Sequence, residues 1–163
     1  MVTVRNLTDA REFSQILCDA NQRHGGIAGV LHLAGLADLQ FVGATTAESI
    51  AKELQPKLTV GEAIAAAINL PGAPEVPFVA LFSSLAAVLG GYGMTGYAGA
   101  NATLDALAER EQAQQWLREE LDEKQTETRW VSVAWDDWDF QYGKEQTALY
   151  EKANVQTVRA PYR

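Results

Sequence analysis

PFVALFSSLAAVLGGYGMTGYAGANATLDAL, residues 77–107, opens with an unbroken apolar run, Phe78-Val79-Ala80-Leu81-Phe82, between Pro77 and Ser83. The run is too short for a helix of its own and reads as a strand buried on both faces. Ser83 and Ser84 follow, then a small-residue loop over 85–93. A helix begins near Thr95 and carries Tyr97 and Asn101 one turn apart on the same face. Ligands of open α/β sheets sit beyond the carboxyl ends of the strands. Ser84 stands at such an end and Tyr97 projects from the next helix, so the stretch reads as a site as well as a core.

Toward the N-terminus, residues 2–5 read as a short strand and 6–9 as the turn into a helix. Thr8 is the expected N-cap there, with Asp9 favoured near the positive end of the dipole. Phe13, Ile16, Leu17 and Ala20 form one stripe at helical spacing, and Gly25-Gly26 end the helix. Residues 27–33 read as a second buried strand. Helical segments run through 44–69, interrupted by Pro56, with Leu58, Ala63, Ile64, Ala67 and Ile68 suited to burial. Residues 71–77 form a proline-rich turn. Toward the C-terminus, the helix bearing Tyr97 continues into the charged segment 109–127, which reads as a solvated surface. Residues 129–135 form a further strand, and order is uncertain from Asp136 onward. Alternating strands and helices imply a parallel sheet with right-handed crossovers.

The 163 residues suffice for one domain with a real core; 47% of them are apolar and the net charge is −8. No apolar run approaches the ~20 residues that cross a bilayer, and residues 1–10 lack the apolar segment of a secretory signal. The single cysteine, Cys18, sits on the apolar side of a helix as a buried structural thiol and fits a reducing cytosol. The negative charge, with no basic cluster against it, argues against nucleic-acid partners. These features describe a soluble, acidic, cytoplasmic α/β domain.

Ser84, Tyr97 thirteen residues later, and the run Tyr-Ala-Gly-Ala-Asn-Ala-Thr-Leu-Asp-Ala-Leu over 97–107 resemble the short-chain dehydrogenase/reductase superfamily. More narrowly, the chain is similar to the ketoreductase domains of modular polyketide synthases and hybrid polyketide–peptide synthetases. Most of that superfamily has Tyr-x-x-x-Lys, whereas the modular ketoreductases have Tyr-x-x-x-Asn with the lysine displaced upstream into a Pro-Lys pair. Here Pro56-Lys57 supplies that pair. Val30-Leu31-His32-Leu33-Ala34-Gly35 and Val131-Ser132-Val133-Ala134-Trp135-Asp136-Asp137-Trp138 match two flanking segments. The similarity spans residues 1–140 and leaves 141–163 as a tail of uncertain order. It implies a partial Rossmann-like fold, a single domain over 1–163 truncated at both ends and lacking the family's N-terminal glycine-rich βαβ unit.

Reduction of a ketone needs a hydride donor and an acid for the developing alkoxide. A phenol, with an unperturbed pKa near 10, serves poorly near neutrality unless a nearby ammonium favours its ionised form. The resemblance implies that Tyr97 donates the proton, Ser84 hydrogen-bonds the substrate carbonyl, and Lys57 supplies the ammonium while contacting the cofactor ribose. Asn101 then holds Lys57 or a water in a proton relay. NADPH is the implied cofactor, with Asn6 and Leu7 against the adenine and Ala34, Gly35, Lys57 and Tyr97 also beside the cofactor. The implied substrate is a β-ketoacyl thioester on an acyl carrier protein, within an assembly of other synthase domains. Taken singly, Ser84 reads as a turn serine, Tyr97 as a packing aromatic, Asn101 as a helix-surface amide and Lys57 as a solvated cation. Their joint spacing favours the catalytic reading.

Gly91-Tyr92-Gly93-Met94-Thr95-Gly96 spells G-x-G-x-x-G between a strand and a helix. Residues 83–89 separate it from its strand, and the next strand ends nearly forty residues on, which does not fit a dinucleotide fingerprint. A flexible loop that approaches substrate or nicotinamide fits better. His32 reads as structural rather than catalytic, and no second histidine stands near enough to share a metal with it. Ala37-Asp38-Leu39 keeps only the middle residue of the Leu-Asp-Asp motif of one stereochemical type, and Leu89 stands where the other type has tryptophan. The handedness of the alcohol stays open. Asp136-Asp137 replace the family's usual Gly-Pro. A non-catalytic remnant or half-domain that needs a complementary segment is the rival reading, and an uncovered sheet predicts self-association.

Overall fold

The computed structural model describes residues 7–121 and 127–136. Helix α1 (Ala10–His24) begins at Asp9, whose carboxylate accepts from the backbone N–H groups of Arg11 and Glu12 at 2.8 and 3.1 Å. Asp9, not the expected Thr8, is therefore the cap: a carboxylate one residue later reaches two of the helix's orphan donors. Gly25, at φ 74°, closes α1 in the left-handed conformation. Strand β1 (Val30–His32) follows, then a 3-10 turn (Val42–Ala44) and helix α2 (Ala47–Leu54). Thr46 and Ser49 cap α2 reciprocally.

Pro56 was expected to interrupt the next helix. Instead α2 runs through a π-helical turn (Gln55–Thr59) directly into α3 (Val60–Ile68). Proline has no N–H to give to the helical ladder, and widening the ladder by one residue absorbs that loss without a break. Strand β2 (Phe78–Ser84), the short helix α4 (Ala86–Leu89), the long helix α5 (Thr95–Glu120) and strand β3 (Arg129–Trp135) complete the described chain. β3 has the bounds expected from sequence; the expected strand over 2–5 and the segment 137–163 lie outside the described residues.

The sheet is parallel, ordered β1-β2-β3, with Leu31 beside Ala80 and Ala80 beside Val131. Successive right-handed crossovers in one direction put α2–α3 and α5 on the same face. Leu17 of α1, Val60 and Ile64 of α3, Val79 and Leu81 of β2, Leu104 and Leu107 of α5 and Trp130 of β3 form one core there. Arg110 of α5 grips Glu62 of α3 through two 2.7 Å hydrogen bonds over that core.

The opposite face corrects two expectations. β1 and β2 were read as buried on both sides, yet Leu31 of β1 is 57% and Phe78 of β2 37% exposed, and Val131 and Trp135 of β3 share that face at 36% and 39%. Only the alternate residues Val79, Leu81 and Ser83 are buried in β2. The apolar run reflects a strand built for cover on two sides, of which the described helices provide one. Cys18 is likewise half-buried rather than buried, because Leu17 beside it turns into the core. The expected solvated surface of α5 also has an exception: Glu111 is buried and accepts from Arg110.

Candidate active site

The carboxyl ends of β1 and β2, the π-turn and the first turns of α5 converge. Lys57 lies within the π-turn, 4% exposed. Two contacts hold it. His32, at the end of β1, donates from Nε2 to the Lys57 carbonyl at 3.0 Å, and the Lys57 ammonium donates to the Phe82 carbonyl of β2 at 2.8 Å. His32 is itself buried, and that burial pushes its pKa down, with the Lys57 charge acting the same way. A neutral imidazole donating to a carbonyl is a structural bracket, in line with the reading from sequence.

Gly35, in the loop after β1, lies directly against this lysine. A Cβ there would stand 2.9 Å from Lys57 Cε and 3.2 Å from Nζ, so a side chain at this point would displace the end of the lysine. Burial pushes the Lys57 pKa down to about 8, and the negative charge of Asp105 opposes the fall. A site cation near that value is mostly charged at pH 7 and loses its charge within the next two pH units.

Asn101 of α5 is fully buried. Its Nδ2 donates to the Tyr97 carbonyl one turn earlier at 2.8 Å, and its Oδ1 has no hydrogen-bond partner. Buried polar atoms are rarely left so; this acceptor is the place a bound water or donor would fill. The side chain therefore does not bond Lys57 directly. Ser84 ends β2, half-buried, and its Oγ accepts from the Ala86 N–H at 3.1 Å. Its neighbour Ser83 is buried and donates to the Asn101 carbonyl at 3.2 Å, tying the end of β2 to α5. Tyr97 is half-buried in the first turns of α5.

Of the residues expected beside a cofactor, Ala34 and Gly35 occupy the loop off β1, and Gly35 touches Lys57. Leu7 is partly buried against the core cluster. Asn6 lies outside the described residues. Asp38 offers its backbone N–H to Glu53 and its carboxylate to Gln40, and Asp137 is outside the described residues.

Glu53 is a site residue that sequence reasoning missed. It is 4% exposed, accepts from the Asp38 N–H at 2.9 Å, and presses its second oxygen against Gly96, where a Cβ would stand 1.9 Å away. The carboxylate thus joins the loop after β1 to the first turn of α5, beside Tyr97, where the helix dipole favours a negative charge. It also occupies the end of the G-x-G-x-x-G decoy, where an anionic phosphate would be repelled. Gln40 N–H to the Gly93 carbonyl at 3.0 Å and an edge-on Phe41–Tyr92 ring pair strap the same two loops together. Glu53 lies one turn before Lys57, and that spacing is the only sequence signal it gave.

Set against known proteins, the profile of the KR domain family matches residues 1–138. The chain belongs to that family. This ketoreductase domain is one of the polyketide-synthase ketoreductases of the short-chain dehydrogenase/reductase superfamily. It superposes on a C2-type ketoreductase from a modular polyketide synthase with a TM-score of 0.69 and 28% identity, covering 92% of this chain and 30% of that one. The ketoreductase from the first module of phoslactomycin biosynthesis in Streptomyces sp. HK803 gives 0.66 and 28%, covering 85% and 28%. The pikromycin polyketide synthase component PikAII of Streptomyces venezuelae is 38% identical over 100 residues, which are 61% of this chain and 3% of the synthase component. The ketoreductase domain here spans about a third or less of each of these chains. No described helix is long and apolar enough to cross a membrane, and no three described His, Cys, Asp or Glu residues cluster as metal ligands.

Proposed function

We propose that this chain is the catalytic portion of an assembly-line ketoreductase, reducing a β-ketoacyl thioester to a β-hydroxyacyl thioester with NADPH. The observation that carries the reading is the buried Lys57 ammonium, lodged between Gly35 and the Phe82 carbonyl at the carboxyl ends of adjacent parallel strands. A buried lysine is costly and persists where it serves a function.

Ala34, Gly35 and Lys57 fit a nicotinamide cofactor, because the side-chain-free loop at Gly35 leaves the ammonium beside open backbone at the strand ends. Bound NADPH would supply a hydride to the ketone carbon. The chain's own groups do the rest. Ser84 Oγ–H orients the ketone oxygen by a hydrogen bond, and the Tyr97 hydroxyl gives it the proton. The charge on Lys57 favours the phenolate left behind. The unpartnered Asn101 Oδ1 anchors a water that would relay a proton from bulk solvent back to the Tyr97 phenolate. Asn6 and Leu7 are proposed for the adenine side.

The substrate arrives on an acyl carrier protein, among other synthase domains, in the cytoplasm. A second reading, a non-catalytic half-domain requiring a complementary segment, draws support from the face with Leu31, Phe78, Val131 and Trp135, which the described helices leave part-exposed. Following NADPH absorbance with a β-ketoacyl thioester separates the two, using the chain alone and the chain supplemented with the upstream phosphate-loop portion of a homologous ketoreductase. Turnover in either sample that Tyr97→Phe abolishes supports the enzyme; none in either sample overturns it in favour of the half-domain.

A further inference from the structure

Glu53 and Lys57 stand one turn apart on the continuous run of α2 and the π-turn, and both are 4% exposed. Together they fasten one loop, the segment that follows β1. Gly35 of that loop lies against the end of Lys57. Three residues on, the Asp38 N–H donates to Glu53 Oε1 at 2.9 Å. The loop is therefore held to the helical run at two points, one of them the lysine itself.

Glu53 also reaches α5, against which α2 packs. A Cβ on Gly96 would stand 2.9 Å from the Glu53 carboxyl carbon and closer still to Oε2, so the carboxylate bears directly on the backbone there. Gly96 is buried and immediately precedes Tyr97. One carboxylate thus holds the loop with one oxygen and meets the tyrosine's own helix with the other. The outer contacts between the same two loops involve Phe41 and Tyr92, which are 47% and 44% exposed, whereas Glu53 is buried. Among the described residues no cation forms an ion pair with it. A buried carboxylate is costly; an apolar side chain of that length would fill the space at lower cost, but it could not accept from the Asp38 N–H while bearing on Gly96.

We propose that Glu53 is a positioning residue for Tyr97: by spanning from the Asp38 N–H to Gly96 it sets how the tyrosine stands relative to Lys57, which its own helical run carries. The proposal rests on the catalytic reading of Tyr97 and Lys57 for its purpose. Its physical content, a coupling between Glu53 and the setting of Tyr97, is measurable without turnover. The carboxylate acts here through its shape and its hydrogen-bond acceptance, so an amide of the same length replaces it.

The test is NMR of the full chain with 13C-labelled tyrosine rings, Tyr97 being assigned from its loss in Tyr97→Phe, together with the NADPH assay of the supplemented chain. Glu53→Ala shifts the Tyr97 ring resonances. It also lowers kcat by about 10-fold to 100-fold with KM for the thioester within about twofold, because a misplaced reacting group costs on that scale. Glu53→Gln restores both. Gly96→Ala, which displaces the carboxylate from the other side, shifts the Tyr97 resonances as well. Glu48→Ala, exposed in the first turn of α2, changes neither readout. Unmoved Tyr97 resonances in a folded Glu53→Ala chain overturn the proposal; should that variant fail to fold, unmoved resonances in Gly96→Ala overturn it equally. So does a Glu53→Gln chain that behaves like Glu53→Ala, or a Glu53→Ala chain that turns over at the native rate. A purely structural Glu53 would lower stability and leave Tyr97 and kcat in place. Absence of reduction by the native chain bears on the catalytic reading, and the tyrosine resonances still decide this coupling.

Discussion

Replacing Lys57 by methionine should stabilise the fold while removing the site's cation. The native ammonium is 4% exposed and its pKa falls from the ordinary 10.5 to about 8, which corresponds to roughly 3 kcal/mol borne by the protonated native state. Methionine keeps the apolar stem and carries no charge, but it leaves the Phe82 carbonyl without the lysine's hydrogen bond, a loss of about 1 kcal/mol. The expected net gain at pH 7 is about 1–2 kcal/mol. The sign of the pH dependence follows from the two proton affinities. The folded chain releases the Lys57 proton near pH 8 and the unfolded chain near 10.5. Between these values unfolding takes up a proton, so native stability rises with pH. The advantage of methionine therefore shrinks by about 2 kcal/mol between pH 7 and pH 9.5. Urea unfolding of both chains at the two pH values measures it. A Lys57→Met chain less stable than the native one at pH 7, or an advantage that does not shrink by pH 9.5, refutes the reasoning.

Gly96→Ala forces its Cβ to within 1.9 Å of the Glu53 carboxylate and should cost about 2 kcal/mol; Glu53→Ala in the same chain should recover much of it, and additive losses in the double-mutant cycle would refute the contact. Ile64→Ala, at 1% exposure in the core, should cost about 2–5 kcal/mol in the same unfolding assay. Reduction catalysed by the site should decline as pH rises through about 8, because Lys57 loses its proton there; a rate still rising from pH 8 to 9.5 contradicts the role given to it. The sheet face that the described helices leave part-exposed should drive self-association of the isolated chain, and Leu31→Lys with Val131→Lys should reduce it. A clean monomer at high concentration in sedimentation would rule this out.

Much of this was legible in the chain, for identifiable reasons. β3 and the start of α5 are marked by local signals, the alternating Val131 and Val133 and a small-residue loop, that no distant contact overrides. That Gly35 and Lys57 belong to one site was suggested only by the family's spacing, since no periodicity links residues so far apart. Other features were hidden. Pro56 ordinarily ends a helix, and in the π-turn that bypasses it the Lys57 carbonyl is held by His32 from another element. Glu53 looked like any helix-surface glutamate; its burial depends on Gly96 lacking a side chain more than forty residues away. The apolar run of β2 marked a strand but wrongly suggested burial on both faces, because no single strand reveals which segments cover it.

The most direct test of the account is the rate of NADPH-dependent reduction of a β-ketoacyl thioester by the chain, supplemented with the upstream portion, in native, Tyr97→Phe and Lys57→Met forms. The account predicts a fall of about 10²–10⁴ for Tyr97→Phe and a substantial loss for Lys57→Met despite its greater stability. Turnover that survives both substitutions at the native rate contradicts it.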